Sequence, residues 1–238
     1  MKAIFNWSGG KDSSLALYKT LQSKKYEALM MLTAMSEEYE RISMHGVRGS
    51  LLRQQVAQIG LPLATLQLPT TLSMEEYDKQ LAKKMQGFRD DGFTHSVFGD
   101  IFLEDLRQYR EDKLALVDMK GDFPLWKIPT DKLMDEFLDL GFKAVVVCIN
   151  GSKLDKSFAG RVIDRDFVKD LPKDVDVCGE NGEYHSFVFD GPIFNNPIPY
   201  EIGETVHKSY KKEEGDEIHK EWQTEFYYTD ILPVTETV

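Results

Sequence analysis

The stretch that most constrains this chain is Ser8-Gly9-Gly10-Lys11-Asp12-Ser13-Ser14, set between an apolar run and an amphipathic one. Lys2–Trp7 reads as a strand, and Ser13–Ser23 places Leu15, Leu17, Tyr18 and Leu21 at mostly helical spacing. Two adjacent glycines let the backbone turn sharply and approach an anion with no Cβ in the way. The helix that follows opens with unpaired N–H groups and the positive end of its dipole facing the same space. Lys11 adds a full charge, Ser8 and Ser13 add hydroxyl donors, and Asp12 can accept from backbone N–H groups or help hold Mg²⁺. The stretch therefore predicts a phosphate site. A plain strand-to-helix turn capped by Ser8 is the alternative, and it leaves Lys11-Asp12-Ser13 unexplained. The spacing is neither G-x-x-x-x-G-K-[ST] nor G-x-G-x-x-G.

Short apolar runs and amphipathic stretches alternate through the first half. Tyr26–Met35 reads as a buried strand, Gly49–Ile59 as a helix and Leu61–Leu68 as a strand. Ser73 can cap a helix running to about Asp90, with Glu75 and Glu76 in its first turn. His95–Phe98 is a fourth short strand, ending at Gly99-Asp100. This β-α-β-α-β-α-β order predicts an α/β, Rossmann-like parallel sheet with helices on both faces. Ligands in such sheets bind beyond the carboxyl ends of the strands, where the Ser8–Ser13 loop and Gly99-Asp100 both fall.

The pattern changes after about residue 104. Asp105–Val117 and Asp131–Leu140 read as helices, the second with Gly141 as its C-cap. Phe123–Trp126 is a break, and Ala144–Ile149 is a β-branched strand. Tyr200–Tyr210 and Trp222–Leu232 read as a hairpin around a solvated, charged loop, Lys211–Lys220. We therefore expect a nucleotide-binding domain over residues 1–104. A smaller α+β substrate-binding portion with C-terminal antiparallel strands follows over 105–238.

A second polar motif spans Cys178-Gly179-Glu180-Asn181-Gly182-Glu183-Tyr184-His185-Ser186. A glycine precedes each glutamate, which suggests a bent backbone that presents both acids. Such a polar cluster beside a strand is costly to bury unless it binds something or is fully hydrogen-bonded. An exposed polar turn is the competing reading, and His185 alone is more often structural than functional.

Ser-Gly-Gly-Lys-Asp-Ser after the first strand resembles the signature of the PP-loop ATP pyrophosphatases. Together with Cys178–Phe187, Met44-His45-Gly46, Gly99-Asp100-Ile101 and Pro124-Leu125-Trp126, it resembles the diphthine–ammonia ligase family within that superfamily, bacterial-type members included. The resemblance runs from about Lys2 to Phe194. It implies a Rossmann-like fold and an ATP-dependent ligase that adenylates a carboxylate, then forms an amide with release of AMP and pyrophosphate. It further implies that Ser8, Gly9, Gly10, Lys11, Asp12 and Ser13 hold the phosphates, with His45, Gly99 and Asp100 near the nucleotide. Lys11, Asp12, Glu180 and Glu183 would carry the chemistry, Glu180, Asn181, Glu183 and His185 the substrate, and Asp12 the Mg²⁺. The acceptor would be a small-molecule or protein carboxylate. No glutaminase signature is visible, so ammonia would come from solution.

Composition trims the rivals. The 238 residues carry a formal net charge of -11, against the clustered Lys and Arg that nucleic-acid binding requires. Two cysteines, Cys148 and Cys178, thirty residues apart, give no C-x-x-C pair and fit a reducing, cytoplasmic setting. No apolar run reaches the ~18–20 residues of a membrane helix. A thiolating enzyme acting on tRNA would need a partner for Cys178. A nucleotide sensor without chemistry would leave Glu180–His185 unused. Strand edges near Tyr200–Leu232 could pair with another chain, so a homodimer is compatible with the sequence.

Overall fold

The computed structural model describes residues 1–43, 45–69, 71–210 and 224–234. The charged stretch Lys211–Lys220, expected as a solvated loop, lies outside the described residues.

The chain begins with β1 (Lys2–Asn6), where Ala3, Ile4 and Phe5 are all fully buried. A central strand of a parallel sheet is covered on both faces, so an unbroken apolar run suits it better than alternation. Helix α1 (Lys11–Ser23) follows, then β2 (Ala28–Ser36), a two-residue β3 (Arg41–Ile42), α2 (Gly49–Ile59) and β4 (Leu63–Leu68). Next come α3 (Met74–Asp90), β5 (Phe93–Val97), α4 (Glu104–Ala115) and β6 (Lys120–Asp122). Ser73 caps α3 as expected. Its hydroxyl accepts from Glu76 N–H while the Glu76 carboxylate accepts from Ser73 N–H, a reciprocal capping box.

Five of these strands pair in parallel in the order β4-β2-β1-β5-β6, with β3 antiparallel against the end of β2. The chain leaves β1 toward one side, then crosses back to β5 on the other. The carboxyl ends of β1 and β5 therefore meet at the point where strand order reverses, the usual ligand crevice of such sheets. Apolar residues of α1 and α2 pack on one face, with Leu15, Leu17, Leu51 and Leu52 in a core that includes Phe5 and Trp7. On the other face α3 and α4 contribute Met85, Phe88 and Leu114 to a second core around Ile4, Leu32 and Phe93. Parallel strands covered on both faces are thus present as the alternation predicted. The sequence reading had not resolved β3 or β6, which are too short to carry a periodicity.

After α5 (Thr130–Asp139) the chain builds a second sheet from β7 (Lys143–Asn150), β8 (Tyr184–Asp190), β9 (Tyr200–Tyr210) and β10 (Thr224–Pro233). Its order is β8-β7-β10-β9, antiparallel throughout. Between β7 and β8 lies α6 (Arg165–Asp170), also absent from the sequence reading because it is barely longer than one turn. Val145, Val146, Phe187 and Val188 of the second sheet share one continuous core with Phe5, Trp7 and Leu17 of the first. That packing presses β8 against the start of α1.

Candidate functional site

The loop after β1 is shaped by two close approaches. Gly9 has φ +78°, and a Cβ there would lie 2.6 Å from Gln55 Oε1. Gln55 is fully buried on α2. Its amide donates to Gly9 O at 3.0 Å and to Val188 O at 2.8 Å, and its oxygen accepts from Trp7 Nε1 at 3.2 Å. Gln55 thus ties the loop to both β1 and β8. The sequence reading missed it, although a glutamine one turn after the buried Leu51 and Leu52 is a readable signal of a satisfied core polar group.

The start of α1 carries no side-chain cap at Gly10. Lys11 N–H donates to Ser186 Oγ at 3.1 Å. Ser13 and Ser14 hydroxyls donate back to Gly10 O at 3.0 and 2.9 Å, and Ser8 Oγ lies 3.0 Å from Ser13 Oγ. The next N–H groups of the first turn have no intrahelical acceptor. They open beside Gly99, where a Cβ would lie 3.1 Å from the Asp12 carbonyl carbon and the Ser13 nitrogen. Gly99 lets the β5 end close onto this helix start.

Lys11 is 4% exposed, and its ammonium sits 2.7 and 2.8 Å from the two Asp12 oxygens and over the Tyr184 ring at 5.2 Å. Burial is the largest single effect and lowers the lysine's pKa, but the Asp12 charge and hydrogen bond together with the Tyr184 and Cys178 groups outweigh it and keep Lys11 protonated. Burial raises Asp12, with Lys11 opposing. The ammonium of Lys11 is therefore fixed beside the helix start by the Asp12 carboxylate, whose charge offsets it.

The second motif arrives from the other sheet. Glu180 accepts from Ile101 N–H at 2.8 Å, so it sits at the β5 end beside Asp100. Burial first, with the Asp12 and Asp100 charges adding and the Ile101 hydrogen bond opposing, pushes Glu180 up to about 7. Glu183 behaves differently. It is 2% exposed, and its two oxygens accept from Asp176 N–H, Asn181 N–H and the Asn181 side-chain amide at 3.0–3.2 Å. Asp176, also missed in the sequence, accepts from Cys178 and Glu180 N–H at 3.1 and 3.0 Å. Of the two acids expected to face a partner, the structure brings Glu180 to the loop and turns Glu183 and Asn181 into the hydrogen bonding of their own turn.

His45 and His185 lie with ring centroids 4.6 Å apart, and a Cβ on Gly10 would meet His45 Cε1 at 3.2 Å. Burial pushes His45 down to about 3, with the neighbouring His185 adding to it, and His185 down to about 4. Both are neutral near pH 7. Asp100 is paired with Arg110 at 2.6 Å. Cys178 is 3% exposed, its Sγ donates to Thr130 O, and burial pushes its thiol up to about 12. Among the described residues no three His, Cys, Asp or Glu side chains are grouped to hold a metal. Asp12, expected to help hold Mg²⁺, has both carboxylate oxygens on the Lys11 ammonium. A cavity of about 350 Å³ lies at the ends of β2 and β4, lined by Met35, Leu52, Arg53, Thr65 and Gln67 and by none of the loop residues.

A Rossmann-like sheet whose first strand ends in this Gly-Gly-Lys helix start defines a PP-loop ATP pyrophosphatase. Family models for the diphthamide synthase N-terminal domain and C-terminal domain match residues 1–117 and 129–235. The chain belongs to the diphthine–ammonia ligase family. It is 24% identical to the diphthine–ammonia ligase of Danio rerio over 226 residues, 87% of this chain and 89% of that protein. It is 30% identical to that of Bos taurus over 90 residues, 36% of this chain and 34% of the bovine one. Among solved structures, a predicted tRNA methyltransferase subunit from Methanocaldococcus jannaschii covers 61% of this chain, which spans 80% of it, at 15% identity and TM-score 0.42. The U34-tRNA thiolase NcsA of Methanococcus maripaludis covers 59% of this chain, which spans 57% of it, at 21% identity and TM-score 0.38. Among the described residues no helix is long and apolar enough to cross a membrane.

Proposed function

We propose that the protein is an ATP-dependent amide-forming ligase whose nucleotide and acceptor sides share one pocket, walled by the Ser8–Ser13 loop and the Glu180 turn. The observation that carries this reading is the joining of the two motifs. Ser186 accepts from Lys11 N–H at 3.1 Å, and Glu180 accepts from Ile101 N–H, one residue after Asp100, at 2.8 Å. A nucleotide sensor needs no acidic turn there, and the buried, high-pKa thiol of Cys178 suits no thiolation step.

In the first step a carboxylate oxygen of the acceptor forms a bond to the α-phosphorus of ATP, and the bond to the pyrophosphate oxygen breaks. Ser8, Gly9, Gly10, Ser13 and the first-turn N–H groups hold the phosphates, and Lys11 stabilises the charge that develops. Asp12 would help hold Mg²⁺, which would supply neutralisation of phosphate charge. In the second step ammonia attacks the acyl carbon, AMP leaves, and the nitrogen loses a proton. Glu180, with a pKa near neutrality, takes that proton. Glu183 and Asn181 position Glu180 by fixing its turn. His45, His185, Gly99 and Asp100 line the nucleotide and substrate space. The division into a nucleotide-binding part over 1–104 and a substrate-binding part over 105–238 belongs to the same proposal, as do a homodimer and a cytoplasmic setting.

The test supplies ATP, Mg²⁺, ammonium and a panel of carboxylates, diphthine-bearing protein among them. AMP, pyrophosphate and amide in equal amounts support the reading. Intact ATP, or ADP and phosphate instead, sinks it.

A further inference from the structure

The turn that carries His45 is held from an unexpected direction. Its base is pinched by an antiparallel bridge between Arg41 and Arg48, and Ile42 N–H donates to Val47 O at 2.8 Å. Nothing in that pinch fixes the turn against the helix start of α1. The anchor is Asp230, on β10 of the second sheet. Its Oδ1 accepts from Arg41 at 2.8 Å and from Arg48 Nε at 3.1 Å, and its Oδ2 accepts from a second Arg48 nitrogen. The same Arg41 nitrogen also donates to Gly46 O at 2.7 Å, next to His45. On the other side of Gly46 the Tyr228 ring, two residues before Asp230, is 3.5 Å from where a Cβ would stand. One carboxylate and one ring from β10 therefore grip the turn at both arms and at the residue after His45. A Cβ on Gly10 would in turn lie 3.2 Å from His45 Cε1, and the His45 ring lies tilted against His185 with centroids 4.6 Å apart.

We infer that Asp230 is a positioning residue of the nucleotide site: by clamping Arg41 and Arg48 it holds the His45 imidazole against Gly10 and His185. A bidentate arrangement on one arginine with a further bond to the other has two fixed directions, which a single surface ion pair lacks. Asparagine keeps the size of the side chain but removes the charge and half of the acceptor capacity. The clamp explains why the phosphate loop of the first sheet needs the far strand of the second. The inference rests on the proposed role of the loop, but its first readout does not.

The experiment is Asp230→Asn and Asp230→Glu in the full chain, with imidazole resonances followed by NMR and ATP kinetics followed in parallel. In Asp230→Asn the His45 and His185 resonances are expected to shift or broaden, while His95, in the middle of β5 and packed against Tyr26, stays in place. The KM for ATP should rise about ten-fold with kcat changed less than about three-fold, as expected for a lost charge-assisted contact. Asp230→Glu should restore part of the affinity and the His45 signal. Unmoved His45 resonances in a folded Asp230→Asn protein overturn the inference, whatever the activity. A moved His45 with no ATP splitting even in the natural protein would instead sink the ligase reading and leave the clamp standing. If Asp230→Asn fails to fold, Arg48→Lys, which keeps the charge but not the fork, supplies the same readout.

Discussion

The two motifs that the structure joins are built on opposite principles. The Ser8–Ser14 loop is short, local and left open: glycine geometry bends it, and its first-turn N–H groups have no partner within the helix. The Asp176–Ser186 turn keeps most of its acids to itself: Asp176 and Glu183 together absorb five donors from their own segment, and of its carboxylates Glu180 is the one that accepts from another element. An open loop waits for a ligand's oxygens. A closed turn spends its carboxylates on holding one group in place. The lesson is that two acids three residues apart need not share a role, because the backbone decides which one is satisfied before any ligand arrives.

The sharpest way to break this contrast is Glu180→Gln. It should lower amide formation by at least about 10²-fold, the range of a lost proton acceptor, with ATP affinity nearly intact. An equal loss of ATP binding would place Glu180 among the phosphate contacts. Lys11→Ala comes next, removing a charge-assisted contact of roughly 1.5–3 kcal/mol and weakening ATP binding or turnover ten-fold or more. Unchanged affinity in that variant would show that the open loop does not hold phosphate. For Glu183→Gln the expected loss is in stability, about 1–3 kcal/mol by urea unfolding, because an amide donor would then face donors. A stable Glu183→Gln with lost activity would move Glu183 from the closed set to the chemistry.

The pH dependence follows from Glu180. As the acceptor of a proton it must be ionised, so amide formation should rise with pH through about 7 and flatten above it. The linked effect on stability has the opposite sign. Its folded pKa is raised above the ordinary value of 4.5, so the folded state binds more protons between about 4.5 and 7. Stability should therefore fall slightly as pH rises across that window, and Glu180→Gln should abolish both trends. The smallest effect is expected for Cys178→Ala, whose activity should stay within about two-fold because a buried thiol pushed up to about 12 is no nucleophile. A large loss of product there would revive the thiolation reading.

Most of the first sheet was legible because its signals are local. Runs such as Ala3-Ile4-Phe5, the capping box at Ser73 and the helix Gly49–Ile59 are written in consecutive residues. The strand-to-helix turn at Ser8–Ser13 was legible for the same reason. The partners of Glu183 were not legible because Asp176 and Asn181 offer backbone and side-chain donors whose direction depends on the turn, not on residue type. The bond that joins Asp230 to Arg41 and the bond that joins Ser186 to Lys11 stayed hidden because their ends lie 189 and 175 residues apart in the chain. A pattern with no period across such a span leaves no trace in one sequence.

The bond from Lys11 N–H to Ser186 also sets a timetable. Its ends are 175 residues apart, so loop closure must bring together nearly the whole chain before the helix start is complete. A ribosome adding about 5–20 residues per second emits the loop on the order of 10–35 s before its partner strand. During that interval the face of α1 and α2 that will pack against β7 and β8 stands bare. The start of α1 is thus completed only after β8 has emerged, and nascent chains stalled before β8 should bind nucleotide poorly and recruit chaperones through that apolar face.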